Sequence, residues 1–115
     1  MEQVVNVEQV TPDAALSLLS EGAVLIDVRE LDEWRVGRAP QAVHIPLGEL
    51  ASQFAALPSD RKLIMICRSG GRSGKAAEAL VQRGLPAVNL AGGMWAWQSA
   101  SLPVVADEGA PGEVA

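Results

Sequence analysis

Cys67-Arg68-Ser69-Gly70-Gly71-Arg72-Ser73 sets the chain's one cysteine among two arginines, two serines and a glycine pair. Residues of these types at this spacing suit a thiolate nucleophile. The glycines let the backbone take dihedrals that turn successive N–H groups toward one point, where they stabilise an anion. A helix predicted to start within the same segment adds the positive end of its dipole. A helix N-terminus with nearby cations lowers a thiol pKa from about 8.5 to roughly 3.5–7.5, so the nucleophilic form prevails near neutral pH. Arg61, Lys62, Arg68, Arg72 and Lys75 are five of the nine bases, and no acid lies between Asp60 and Glu78. The stretch therefore reads as a positive island around Cys67. A free cysteine ending an apolar strand is commonly buried and inert. Strand, cysteine, glycine pair, cations and helix in one stretch set this one apart, because a plain βα connection needs no such loop.

The elements that must position the loop follow from the apolar pattern. Short β-like runs alternate with helical spacing, which predicts an α/β domain with a mainly parallel sheet. Val4 to Val10 is a weak first strand. Thr11 then caps a helix with Pro12 in its first position, an apolar stripe of Ala15, Leu18 and Leu19, and Gly22 at its end. Ala23 to Ile26 is an unbroken apolar run, as expected of a central strand covered on both faces, and ends at Asp27-Val28-Arg29. Glu30 to Val36 is a short charged helical turn, and Ala42 to Ile45 a third strand. Leu47, Leu50, Phe54 and Leu57 recur at helical spacing until Pro58. Lys62 to Ile66 is the clearest strand and leads straight into Cys67. Ala76, Ala77, Leu80 and Val81 mark the following helix, which Gly84 and Pro86 terminate. Ala87 to Leu90 is a fifth strand, and Gly92-Gly93 opens a last helical stretch through Trp97. In such a sheet, loops at the carboxyl ends of the strands line the ligand crevice, which is where Cys67 stands.

One hundred and fifteen residues make one domain, here 1–104, and residues 105–115 read as a flexible acidic tail rich in small residues. Apolar residues at 49% against 20% charged mark a globular chain, and a net charge of −5 excludes broad electrostatic binding to nucleic acid or anionic lipid. A single cysteine forbids an intramolecular disulfide. With His44 the only other soft ligand, it also excludes a cysteine-cluster zinc site. Met1-Glu2-Gln3-Val4-Val5 lacks the basic-then-apolar pattern of a secretory signal, and Leu63 to Cys67 is far too short to span a membrane. A soluble, cytoplasmic protein is the expectation.

The loop and the helix after it, with Ala76-Ala77, Leu80 and Gly84, resemble the active-site segment of rhodanese-like sulfurtransferase domains. Leu25-Ile26-Asp27-Val28-Arg29, Glu33-Trp34, Gly37 and His44-Ile45-Pro46-Leu47 resemble the family's first signature, and Leu90-Ala91-Gly92-Gly93 with Trp97 its Gly-Gly turn. Arg38, Gln41, His44 and Leu85 depart from residues common in the family, all outside the loop. The resemblance implies a three-layer domain, with a mainly parallel five-stranded sheet and helices on both faces. It also implies sulfur transfer from thiosulfate or a related donor to cyanide or a thiol through a Cys67 persulfide. A protein donor or acceptor of sulfur could use the same loop, and no metal or organic cofactor is needed. Cys67 would be the nucleophile, with Arg68, Ser69, Gly70, Gly71, Arg72 and Ser73 as the persulfide cradle and Lys75, Asp27 and Arg29 on the rim.

Cys67 through Arg72 counts six residues, the length the resemblance associates with sulfur transfer, whereas related phosphatases and arsenate reductases carry one more. Ile66 also stands where tyrosine phosphatases usually place histidine. Alternatives are a non-catalytic interaction module, which the intact cysteine loop opposes, and a cysteine-dependent phosphatase or arsenate reductase. His44 is read as a structural hydrogen-bonding residue, Asp27 and Arg29 more readily as an ordinary ion pair, Trp95 and Trp97 as packing residues. Gly92 and Gly93 are expected to permit close backbone approach near the crevice.

Overall fold

Thr11 caps the first helix as its sequence predicts, its hydroxyl accepting from the Ala14 N–H at 3.2 Å with Pro12 in the first turn. The computed structural model describes residues 6–115. Over these residues strands and helices alternate as β1 (Gln9–Val10), α1 (Pro12–Ser20), β2 (Val24–Asp27), α2 (Leu31–Val36), β3 (Ala42–His44), α3 (Leu47–Gln53), β4 (Leu63–Ile66), α4 (Gly71–Gln82), β5 (Ala87–Leu90) and α5 (Gly93–Ser99). The strands form one sheet in the order β1-β5-β4-β2-β3, every neighbouring pair parallel.

Burial on both faces explains the apolar runs in β2 and β4. The pleat sends Leu63, Met65 and Cys67 to one face, with Leu50 of α3 and Ala76, Ala77 and Leu80 of α4. Ile64 and Ile66 go to the other, with Ala15 of α1 and Met94 and Trp97 of α5. Helices thus cover both faces, as expected. Chain order reverses where β2 and β4 lie side by side, since β2 leads to β3 on one flank and β4 to β5 on the other. That is the position at which open parallel sheets form a crevice beyond their carboxyl ends.

Several boundaries differ from expectation by a residue or two, and three differences bear on the chain's local rules. The first strand pairs only over Gln9 and Val10, and Val4 and Val5 lie outside the described residues. The third strand stops at His44, one residue short. The Leu47–Leu57 periodicity divides into α3 and a 3-10 turn at Phe54–Ala56, because apolar spacing does not distinguish the last turn of an α-helix from its tighter relative.

The larger correction concerns residues 105–115. They lie folded back on the domain instead of trailing from it. Val105 and Arg38 exchange backbone hydrogen bonds at 2.9 Å each, the Glu113 N–H donates to the Val36 carbonyl at 2.9 Å, and Val114 packs against the α1/α5 core. A turn at Asp107–Gly109 reverses the segment, and Asp107 receives Arg38 at 2.8 Å. Composition suggested disorder because the segment offers few apolar side chains. Its anchors are backbone groups whose partners lie some seventy residues earlier, which no local pattern reveals. No helix among the described residues is long and apolar enough to cross a membrane.

Candidate active site

The pairing of β2 with β4 continues one step past the strands: the Val28 N–H donates to the Ile66 carbonyl at 3.0 Å. Val28 therefore lies beside Cys67, and Asp27 and Arg29 flank it at the end of β2. From Cys67 the chain makes a tight loop into α4, and this loop closes over its own sulfur. The Gly70 N–H points at Cys67 Sγ at 3.1 Å, and the Ser73 hydroxyl lies 3.3 Å from the same atom. Gly70 has φ +106°, a left-handed conformation that a side chain at this position would strain. The glycine there is a geometric requirement of the cradle.

α5 holds the loop from behind. Met94 N–H donates to the Cys67 carbonyl at 2.7 Å and Trp95 N–H to the Arg68 carbonyl at 3.0 Å. Peptide planarity then turns the N–H groups of Arg68 and Ser69 the opposite way from those carbonyls, and that of Ser69 toward the sulfur. Gly93 makes the contact possible. A Cβ there would overlap the Cys67 carbonyl oxygen and sit 2.7 Å from the Arg68 carbonyl, so the expected close approach is real, between α5 and the cysteine loop itself.

Cys67 is 1% exposed. Burial alone pushes its thiol up. The Ser73 hydroxyl and the N–H groups of Ser73, Gly70 and Ser69 outweigh that and bring the thiol below its ordinary value. The positive island is smaller than the sequence implied. Arg61 and Lys62 precede β4, so Lys62 lies five residues or about 16 Å from Cys67 at roughly 3.3 Å per strand residue, and both line a depression with Leu18 and Glu21 at the amino edge. Charges adjacent in sequence are here separated by a strand.

Arg72 is held by Glu33 of α2 in a bidentate pair, 2.8 Å on each arm. The Arg72 guanidinium holds the Glu33 carboxyl down to about 2 against some burial, and Glu33 in turn keeps the Arg72 charge firmly on. Arg72, expected as part of the persulfide cradle, is thus spent on fixing the loop to α2. Arg68 stands over the ring of Trp95 at 5.5 Å, and among the described residues neither it nor Lys75 makes an ion pair. Both are exposed, as are Ser69 and Gly71. Trp95 itself is 54% exposed rather than a packing residue, whereas Trp97 is buried with its indole N–H donating to the Pro103 carbonyl at 2.8 Å.

Asp27 and Arg29 do not form a rim. They are a fully buried ion pair at 2.8 Å beneath the crevice, and Arg29 Nη2 also donates to the Gly37 carbonyl at 2.6 Å. The Asp27 carboxylate accepts the Arg29 backbone N–H as well. The strand-end location was legible; the depth was not, since charged residues are mostly exposed and only their mutual pairing lets these two be buried. His44 has the structural role expected of it, with Nε2 2.7 Å from the Arg29 carbonyl oxygen and its ring stacked on Trp34 at 4.7 Å.

Two functional candidates escaped the sequence reading. Glu33 sits at N3 of α2, where a capping box already accounts for it, so nothing in the sequence pointed to Arg72. Asn89 lies 3% exposed in β5 and touches Ser73 Oγ at 2.6 Å; an amide inside an apolar strand was the available signal.

The Glu33–Arg72 pair carries a pH prediction. A carboxyl lowered from 4.5 to about 2 contributes stability that is complete above 4.5 and disappears as pH falls through 2. Glu33→Gln is expected to be about 2 kcal/mol less stable than the parent at pH 7, after discounting for solvent around Arg72. The difference should shrink steadily between pH 4.5 and 2. Urea melts of both proteins at pH 7 and pH 3 check it; an undiminished gap at pH 3 refutes the assignment.

Residues 11–100 match the model of the rhodanese-like domain. The chain is 38% identical over 91 residues to a sulfurtransferase of Allochromatium vinosum, covering 78% of this chain and 85% of the relative. It is 31% identical over 93 residues to the thiosulfate sulfurtransferase GlpE of Pseudomonas savastanoi pv. phaseolicola, covering 80% and 88%. The crystal structure of a rhodanese-related protein from Thermoplasma volcanium superposes with a TM-score of 0.77 at 34% identity, over 85% of this chain and 97% of that one. A cysteine loop closed over its own sulfur, on a parallel sheet matched along most of its length by such relatives, makes this chain a member of the rhodanese-like domain family, among the sulfurtransferases.

Proposed function

We propose that the protein carries a sulfane sulfur on Cys67, taking it from thiosulfate or a related donor and passing it to a thiophilic acceptor such as cyanide or a small thiol. The observation that carries this reading is the enclosure of Sγ by the loop N–H groups and the Ser73 hydroxyl, a ring scaled to one anionic sulfur. The Cys67 thiolate attacks the outer sulfur of thiosulfate. A new S–S bond forms at Sγ, the donor's S–S bond breaks, and its electron pair leaves with sulfite. The negative charge passes to the terminal sulfur of the persulfide, which the loop N–H groups are suited to hold. Cyanide then bonds to that terminal sulfur, the bond to Sγ breaks, and thiocyanate departs as the thiolate returns. Neither half needs a proton, so His44 is not required as a base.

Arg68 is the cation suited to the sulfonate end of the donor, being exposed beside the loop and outside any ion pair among the described residues. Lys75, exposed on the second turn of α4, adds to the same field. Arg72 acts through the loop it holds to Glu33. The test is direct: reduced protein, freed of reductant and mixed with thiosulfate, should gain the mass of one sulfur atom. Cyanide should remove it with one equivalent of thiocyanate. Absence of any cyanide-labile gain overturns the reading.

A further inference from the structure

β5 reads Ala87-Val88-Asn89-Leu90, and all four residues are buried. Buried amides must place their hydrogen bonds, and Asn89 has little choice in doing so. Its side chain lies 3.1 Å from the Gly70 carbonyl oxygen, which can only accept, so Nδ2 faces that oxygen and also reaches Gln9 Oε1 at 2.9 Å. Oδ1 is thereby turned to Ser73 Oγ at 2.6 Å. An amide oxygen only accepts, so the Ser73 hydroxyl is the donor. That hydroxyl has one proton, and Cys67 Sγ lies 3.3 Å from the same oxygen.

We propose that Asn89 is a positioning residue that competes with the Cys67 thiolate for the single proton of the Ser73 hydroxyl. With Cys67 as a thiol, S–H donates to Oγ and O–H to Asn89, and every group is satisfied. With Cys67 as a thiolate, Sγ can only accept. Either Ser73 keeps its proton on Asn89 and the sulfur relies on backbone N–H groups, or the hydroxyl turns to the sulfur and strands a buried amide oxygen. In both cases Asn89 favours the thiol over the bare thiolate. On the sulfur-transfer reading above, it also favours the loaded enzyme, because the persulfide charge lies on the terminal sulfur and Sγ no longer draws the proton. The benefit to the reaction is a thiolate that is not over-stabilised, since intrinsic nucleophilicity falls as thiol pKa falls.

The other groups around the sulfur are Arg72 of α4, Glu33 of α2, the Asp27–Arg29 pair of β2, His44 of β3 bound to the Arg29 carbonyl, Gln9 of β1, and Arg68 and Lys75 at the exposed side. All are the same in each variant below. Their titration therefore cancels in the comparison.

The pH profile of Cys67 alkylation by iodoacetamide reads the competition directly. Asn89→Leu, similar in size and without an acceptor, should lower the midpoint by about one unit, a tenfold rise in thiolate at a given pH. In a Ser73→Ala background the same substitution should move it by no more than about 0.3 unit. An unchanged or raised midpoint overturns the proposal. So does an equal fall in both backgrounds, which would assign Asn89 only to holding Gly70. The protein with Asn89 intact gives a second reading that does not depend on the leucine variant folding. The Asn89 side-chain carbonyl carbon resonance should shift through the Cys67 titration and stay flat in Ser73→Ala; a shift in both overturns the proposal. Neither measurement uses sulfur transfer, so a protein that takes no sulfur from thiosulfate would defeat the proposed function and leave this inference standing.

Discussion

Cys67→Ser is expected to abolish sulfur loading and to lower thiocyanate formation by a factor on the order of 10⁴ or more. A serine hydroxyl at this position is not ionised near neutral pH by the donors that suffice for a thiol, and it forms no persulfide. The cradle remains, because its geometry comes from Gly70, from the carbonyls held by α5 and from the Arg72–Glu33 pair, none of which depends on sulfur. The variant should therefore melt at or slightly above the parent temperature, having lost a buried group that is ionised only at a desolvation cost. Cyanide-dependent thiocyanate production and a thermal melt of the same preparation check both halves. Retention of more than about one percent of the parent rate in a folded Cys67→Ser protein would place the chemistry elsewhere.

Asp27→Ala should be the most damaging substitution for stability. Both Asp27 and Arg29 are fully buried, and the carboxylate accepts from Arg29 Nε, Nη2 and the Arg29 backbone N–H. Its removal leaves a guanidinium that cannot lose its proton, held away from water with the Gly37 carbonyl as the remaining acceptor among the described residues. Breaking a buried pair from one side costs about 3–5 kcal/mol, against a total stability of roughly 5–15 kcal/mol for a domain of this kind. The loss should also loosen the crevice, since Asp27 ends β2 beside the strand that delivers Cys67. Asp27→Asn, which keeps an acceptor but not the charge, should fall between the two. Guanidinium melts of the three proteins give the order; an alanine variant within about 1 kcal/mol of the parent would show that Arg29 finds water or another partner.

The turn of the chain from Cys67 into α4 was legible because its geometry is local. A glycine pair, a strand before and a helix after suffice to predict an N–H cradle, and the observed loop is that cradle. The charge reading failed where it depended on distance through space. Arg61 and Lys62 belong to the opposite end of β4, and Arg72 answers to an acid thirty-nine residues away. The tail failed for the same reason: Val105 and Glu113 are ordered by backbone partners at Arg38 and Val36.

Apolar periodicity, glycine placement and the single thiol were enough by themselves to determine a parallel α/β domain with its one cysteine in a glycine loop at a strand's carboxyl end. These features are written in neighbouring residues, so short-range rules read them. Which cation is free, which is spent, how deep Asp27 and Arg29 lie, and which proton Ser73 can offer were decided only in three dimensions. Each depends on a partner brought from another strand or helix. Electrostatics and hydrogen-bond competition are set by distances of a few ångströms, which sequence separation does not encode.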